Sequence, residues 1–151
     1  MNELQMGNHD PIDVLLVEDS PTDADLAIRA LKEGRLDNNV HHVEDGLEAM
    51  GFLRRQGQYT DAPRPDLILL DLNMPRMDGR EVLKQLREDS DLRRIPVIVL
   101  TTSDEESDVL DAYDLNSNAY IVKPVDINRF FEIISEINTF WFRIVRLPAP
   151  K

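Results

Sequence analysis

The chain has 151 residues, enough for one domain with a substantial apolar core. Its formal net charge of −12 weighs against nucleic acid or an anionic membrane as a direct partner, because both require positive charge on the protein. There is no cysteine, which excludes disulfides and thiol chemistry. A secretory signal is not visible, and no apolar run reaches the roughly 18 residues of a membrane span, so we predict a cytoplasmic protein.

Short apolar runs alternate with helical patterns five times along the chain. The strand predictions are the runs at 12–17, 40–43, 67–70, 95–100 and 119–122. The helix predictions begin near Pro21, Gly46, Gly79, Glu105 and Asp126. The first has a clear start, because the Ser20 hydroxyl can cap it and proline suits the first helical position. Strands that alternate with helices form a parallel sheet with helices on both faces, so the predicted fold class is α/β, doubly wound.

The most informative stretch has the sequence LILLDLNMPRMDG and covers residues 67–79. Its four apolar residues lack polar alternation, as in a strand buried on both faces of a parallel sheet, and the run ends at Asp71. Pro75 cannot continue a strand's hydrogen bonding, and Asp78-Gly79 predicts a turn before the next helix. A carboxylate in this place lies where open α/β sheets bind their ligands. Asp71 by itself, however, could equally be a strand-ending residue that caps the next loop.

Polar side chains also follow three other predicted strands, at Glu18-Asp19, Thr101 and Lys123. Because parallel strands share one direction, we expect these residues to meet Asp71 at one edge of the sheet. Three carboxylates in one place repel each other unless a cation is bound, and magnesium suits a small cluster of oxygen ligands. Lysine adds a compact positive charge and threonine a hydroxyl donor. Together these groups are what an aspartate needs to accept a phosphoryl group.

The polar residues at the strand ends occur in the order Glu18-Asp19, Asp71, Thr101 and Lys123-Pro124. In this order the chain resembles the receiver domain of two-component response regulators. The resemblance covers about residues 13–136 and implies a flavodoxin-like fold of five strands and five helices. It also implies phosphorylation on aspartate by a partner histidine kinase. We therefore expect a flexible N-terminus at 1–11, a receiver domain at 12–140 and a C-terminal extension at 141–151, with no output domain.

The resemblance implies a metal site with Mg²⁺, for which Mn²⁺ could substitute. Asp19, Asp71 and the backbone carbonyl of Asn73 match the metal ligands of the family. Glu18 matches the second acidic residue, which in the family usually holds a metal-bound water. Asp71 is also the implied phosphoacceptor.

The resemblance assigns the remaining pocket residues to phosphoryl binding and to switching. Thr101 and Lys123 match the pair that binds the phosphoryl oxygens, and Tyr120 matches the aromatic residue that turns inward as the threonine moves. The peptide bond before Pro124 is expected to be cis, as in the family.

Two positions, each two residues after a pocket residue, predict how long the phosphoryl group persists. Phosphatases that use an aspartate nucleophile carry a second aspartate two residues later as general acid and base, whereas this chain has Asn73. Ser103, two residues after the pocket threonine, is small and neutral and cannot act as a base. We therefore expect self-phosphorylation with magnesium and slow self-dephosphorylation, but no other enzyme activity.

The last predicted helix carries more apolar residues than one sheet face can cover. A C-terminal tail that folds back would bury them. We favour a homodimer through this helix and the tail, because exposed aromatic residues are enriched where proteins meet. The residues predicted at the dimer surface are Ile133, Ile137, Phe140, Trp141, Phe142 and Ile144.

Within the family, the chain is more similar to response regulators paired with bacterial phytochrome histidine kinases. This likeness lies in the loop that begins QGQYTDAPRP and in the tail FWFRIVRLP. It implies dimers through the C-terminal region, and the family implies kinase docking near Leu26 and Ile28 on the first helix. A phosphorelay or interaction module that serves a different kinase is the alternative.

Two other classes remain as rivals at this point. A flavin-binding electron carrier of the same topology would need a phosphate-binding loop after the first strand, where Glu18-Asp19 supplies repulsive charge instead. An interaction module that is never phosphorylated predicts the loss of a pocket residue, and every one is present.

Overall fold

The computed structural model describes residues 11–33, 37–101 and 119–122, together with Asn128 and Glu132. The strands are β1 (Ile12–Val17), β2 (Asn38–Val43), β3 (Leu67–Asp71), β4 (Val97–Thr101) and β5 (Ala119–Val122). The helices are α1 (Pro21–Glu33), α2 (Gly46–Leu53) and α3 (Gly79–Glu88), with 3₁₀ turns at Gly57–Tyr59 and Leu92–Arg94. No helix within these described ranges is both long and apolar enough to cross a membrane.

The five strands form one parallel sheet in the order β2-β1-β3-β4-β5. Strands β1 and β3 are neighbours at its centre, and Val17 pairs with Leu70 at their carboxyl ends. Because all of these pairings are parallel, the chain must return to the amino end of the sheet between one strand and the next. The predicted doubly wound, flavodoxin-like α/β sheet is therefore confirmed.

Some strand bounds differ from those predicted. Strand β2 begins at Asn38 instead of residue 40, and β3 includes Asp71. Strand β4 begins at Val97 instead of residue 95, because the preceding 3₁₀ turn closes with a bond of 3.0 Å from Ile95 N to Leu92 O. The helix predicted at 105–114 lies outside the described residues. Of the last predicted helix, the structure describes only Asn128 and Glu132, both helical and exposed.

Alternate residues of the central strands pack on opposite faces of the sheet. Leu15 and Leu70 face the helices α2 and α3, whereas Leu16 and Leu69 face α1. Because both faces are covered, β3 is buried throughout and β1 is buried except at Asp13. This arrangement directs the chemistry of the sheet to its carboxyl edge.

Candidate functional site

Three carboxylates meet at the carboxyl edge of the sheet. Glu18 and Asp19 follow β1 directly, and Asp71 is the last residue of the adjacent β3. One carboxylate oxygen from each residue lies within 4.8 Å of the others. Glu18 and Asp71 are 0% and 2% exposed, whereas Asp19 is open to solvent. The convergence predicted from the polar strand ends is therefore found for these three residues.

Backbone groups hold the two buried carboxylates in place. Ser20 N donates to Glu18 Oε2 at 3.1 Å, and Asn73 N donates to Asp71 Oδ1 at 3.1 Å. The main chain of Glu18 is held as well, because its N–H bonds Val43 O at 3.0 Å and its carbonyl accepts from His42 Nε2 at 2.7 Å. The carboxylates are thus oriented by neighbouring strands and turns before any ligand arrives.

The donor set fits a hard divalent cation. Three negatively charged groups within 4.8 Å repel each other, and a cation with oxygen ligands removes that repulsion. All three donors are carboxylate oxygens, without sulfur or imidazole, and the exposed Asp19 leaves a side through which solvent or a phosphate can enter.

The loop after Asp71, residues 72–78, closes tightly onto the end of β3. Gly79 N donates to Leu72 O at 2.9 Å, and the Asp78 side chain caps α3 by accepting from Glu81 N at 3.1 Å. A Cβ on Gly79 would lie 2.4 Å from the Asp71 carbonyl oxygen. Asp78 thus ends the loop as the cap of α3, and Gly79, the first helical residue, is needed for space at the end of β3.

The start of α2 has the same design. Asp45 caps this helix by accepting from Glu48 N at 2.9 Å, and Gly46 N donates to Met77 O at 2.9 Å. A Cβ on Gly46 would lie 2.3 Å from that carbonyl oxygen. The Asp45 carboxylate is buried and also pairs with the guanidinium of Arg76 in the loop after Asp71.

Sequence reasoning missed the contact between these two segments. It predicted a turn and a helix start at Asp45-Gly46 but not the cap, although the chain repeats one pattern, DGLE at 45–48 and DGRE at 78–81. An acidic residue followed three positions later by glutamate is a helix-start signature, and both copies do start helices. That repeat could have predicted two equivalent caps, although not the ion pair between Asp45 and Arg76.

The α1 start was predicted correctly. Asp23 N donates to Ser20 Oγ at 3.2 Å, which is the expected cap, and Pro21 is the first helical residue. Leu26 and Ile28, the residues expected at a kinase-docking surface, are half-buried on this helix. Their docking role stays a prediction.

The other predicted pocket residues are described in part. Thr101 ends β4 and pairs with Val122 of β5, and Tyr120 lies within β5 opposite Val99. Lys123 and Pro124 follow β5 directly and lie outside the described residues, so their roles and the cis peptide stay predictions. The same holds for the predicted dimer residues Ile133, Ile137, Phe140, Trp141, Phe142 and Ile144.

Residues 14–135 match the response regulator receiver domain. The chain is 48% identical over 136 residues to the response regulator Rcp1 of Synechocystis sp., which covers 90% of this chain and 92% of that protein. The structure of the Mn²⁺-bound form of Rcp1 matches with a TM-score of 0.78 at 47% identity, covering 92% of this chain and all of the other.

Two further structures are similar. The phosphorylated cyanobacterial phytochrome response regulator RcpA matches with a TM-score of 0.78 at 46% identity, over 89% of this chain and 96% of the other. The bacteriophytochrome response regulator RtBRR matches with the same TM-score at 43% identity, over 87% of this chain and 81% of the other. The chain therefore belongs to the family of response regulator receiver domains, and its relatives include phytochrome response regulators.

Proposed function

We propose that this protein is a signalling switch in which Asp71 accepts a phosphoryl group from a partner histidine kinase. The observation that carries the proposal is the buried carboxylate of Asp71 at the end of the central strand, with Glu18 and Asp19 within 4.8 Å, in a receiver domain. A buried aspartate beside two other carboxylates is costly for stability alone, so a role in chemistry is the better account of it.

In the proposed reaction an Asp71 carboxylate oxygen attacks the phosphorus atom of a phosphohistidine. The bond from phosphorus to the imidazole nitrogen breaks, an acyl phosphate forms on Asp71, and the leaving nitrogen takes up a proton. The Asn73 N–H holds the Asp71 carboxylate in one orientation for the attack. With acetyl phosphate the bond that breaks is from phosphorus to oxygen, and acetate leaves.

Glu18, Asp19, Asp71 and the backbone carbonyl of Asn73 are the residues we propose to hold Mg²⁺. The ion would neutralise the negative charge shared by these carboxylates and the incoming phosphoryl group. The Mn²⁺-bound form of Rcp1, 47% identical, supports a divalent metal in this family member. Thr101 and Lys123 are proposed to bind the phosphoryl oxygens, with Tyr120 as the residue that responds.

The proposed partner is a histidine kinase of the phytochrome type. The similarity to RcpA and to RtBRR supports this choice, since both are phytochrome response regulators by name. A receiver that serves another class of kinase would have the same pocket, so the pocket itself does not support one partner over the other. The homodimer through the last helix and tail likewise stays a prediction, supported by the apolar spacing of the sequence.

Intact-mass measurement after incubation with acetyl phosphate and Mg²⁺ tests the proposed reaction. The wild-type protein should gain the mass of one phosphoryl group, and Asp71→Asn should gain none because the amide is not a nucleophile. Asp91→Asn is the matched control, since this exposed aspartate lies far from the carboxyl edge, and it should behave as wild type.

Two results would contradict the proposal. One is a wild-type protein that gains no mass with Mg²⁺ present, and the other is an Asp71→Asn variant that still gains it. In the same experiment, after removal of the donor, the acyl phosphate should persist for minutes to hours, as expected of a site without a general base.

A further inference from the structure

The loop after Asp71 is held at both its base and its tip. At the base, Gly79 N bonds Leu72 O at 2.9 Å, and the Met74 side chain is buried in the core. At the tip, Arg76 pairs with Asp45, and Met77 O accepts from Gly46 N at 2.9 Å. Asn73, whose N–H bonds the Asp71 carboxylate, lies between these two anchors.

Asp45 is a buried charge shared by two elements. Its side chain is 2% exposed, one oxygen accepts from Glu48 N within α2, and the other pairs with the Arg76 guanidinium. Removing the cationic partner of a buried carboxylate strongly destabilises the folded protein. The pair therefore holds the loop tip in one place relative to α2.

The backbone of Arg76 shows that the tip is constrained. Its φ is +61°, in the left-handed region that non-glycine residues rarely adopt. Such a conformation persists only where surrounding contacts determine it, and here those contacts are the buried Asp45 carboxylate and the adjacent Gly46–Met77 bond.

We propose that Asp45 and Arg76 are positioning residues for the Asp71 site. Their ion pair sets the path of residues 72–78 and thereby the position of the Asn73 backbone, which orients Asp71 and supplies the proposed metal-binding carbonyl. Asp45 is not part of the carboxylate cluster formed by Glu18, Asp19 and Asp71, and in this proposal both residues of the pair act through the loop. This inference rests on the proposed function of Asp71, and it makes the first turn of α2 part of the phosphorylation site.

The first measurement is the affinity for Mn²⁺. Titrations of the full chain are monitored by the electron paramagnetic resonance signal of the free ion. Arg76→Gln should raise the Mn²⁺ dissociation constant about tenfold, as expected when the residues that support metal ligands are removed. Arg76→Lys keeps the positive charge and should restore most of the affinity. Asp45→Asn keeps an oxygen for Glu48 N, so α2 retains its cap, and should weaken Mn²⁺ binding as Arg76→Gln does.

The second measurement is the rate of phosphorylation by acetyl phosphate as a function of Mg²⁺. Arg76→Gln should raise the Mg²⁺ concentration needed for half of the maximal rate by the same factor, while the rate at saturating Mg²⁺ changes much less. The double variant Asp45→Asn with Arg76→Gln should be no worse than either single variant, because both remove one interaction.

Arg64→Gln is the matched control. It removes the ion pair of 2.7 Å between Arg64 and Asp91, which joins two loops at the opposite edge of the sheet. This variant should bind Mn²⁺ as wild type does. Urea unfolding without metal confirms that each variant is folded, and Asp45→Asn serves as the test if Arg76→Gln does not fold.

The outcomes separate the two proposals. If folded Asp45→Asn and Arg76→Gln bind Mn²⁺ with wild-type affinity and keep the wild-type Mg²⁺ dependence, the pair only stabilises the fold and the inference is overturned. If wild type itself neither binds Mn²⁺ nor gains a phosphoryl group, the proposed function fails instead.

Discussion

The two edges of the sheet differ in how they hold their loops. At the carboxyl edge, Glu18 and Asp71 are buried charges, and Gly46 and Gly79 have backbone oxygens where a Cβ would be. At the amino edge, the loop 54–66 is largely exposed and is tied down by surface contacts such as the pair between Arg64 and Asp91. The carboxyl edge therefore tolerates little change in atomic position, whereas most residues of the amino-edge loop are exposed and can be changed with less effect on the core.

One arginine at each edge adopts the left-handed backbone region. The φ angles are +61° for Arg76 at the carboxyl edge and +55° for Arg55 at the amino edge. The partner of Arg76 is the buried Asp45 carboxylate, whereas Arg55 Nε donates to the carbonyl of Ala62 at 2.9 Å in an exposed contact. The same backbone strain is thus offset by a buried charge at one edge and by a surface hydrogen bond at the other.

The glycines should give the largest contrast. Gly79→Ala should lower the free energy of unfolding by about 3 kcal/mol, because the new Cβ meets backbone atoms that can yield only if β3 and α3 shift. Gly51→Ala is the control within α2, where the nearest atom to the new Cβ is Tyr59 Cδ2 at 3.7 Å. It should raise the free energy of unfolding by about 0.5–1 kcal/mol through helix propensity. Urea unfolding measures both variants. Equal free energies of unfolding would show that a Cβ at Gly79 is tolerated as well as one at Gly51.

Substitution by glycine should change the free energy of unfolding in opposite directions at Arg55 and Arg76, the two arginines with positive φ. Arg55→Gly should raise the free energy of unfolding by up to about 1 kcal/mol. Glycine relieves the backbone strain, and the contact removed in exchange is the exposed hydrogen bond to the Ala62 carbonyl. Arg76→Gly relieves the same strain but leaves Asp45 buried without its cation, so a net loss of about 2 kcal/mol is expected. Urea unfolding of both variants tests the contrast, which would be wrong if Arg76→Gly were the more stable of the two.

The smallest of the three differences is expected between wild type and a variant of Tyr59, which joins the amino-edge loop to the first turn of α2. Its hydroxyl donates to Glu48 Oε1 at 3.2 Å while its ring packs on Phe52 at 5.4 Å. Tyr59→Phe keeps the packing and should cost about 1 kcal/mol of unfolding free energy at neutral pH.

This cost should depend on pH. Burial, and then the negative charge of Glu48, raise the pKa of Tyr59 above its ordinary value of 10.0. A raised pKa in the folded state means that the hydroxyl stabilises the protein fully below pH 10.0, and that this contribution is lost as the pH rises through the folded-state pKa. The free energies of unfolding of wild type and Tyr59→Phe should therefore converge as the pH rises above 10.0. A difference that stays constant across that range would contradict a stabilising role for the Tyr59 hydroxyl.

Much of the fold and part of the site follow from local patterns in the sequence. The alternation of apolar runs with helical spacing determined the parallel sheet, because each run is short, unbroken and followed by a helix start. The convergence of Glu18, Asp19 and Asp71 followed from the same pattern, since parallel strands end at a common edge. The Ser20 cap on α1 was also readable, because a cap lies within four residues of the group that it bonds.

The tertiary structure alone decided how the loop after Asp71 is held. Asp45 and Arg76 are 31 residues apart, and no periodicity links them, so their pairing depends on how β2 and β3 are placed in the sheet. The need for Gly46 and Gly79 likewise comes from atoms of distant residues that occupy the space of a side chain. Local patterns determine which residues form strands and caps, because those depend on neighbours in the chain. Contacts between loops depend on the packed positions of the elements that carry them.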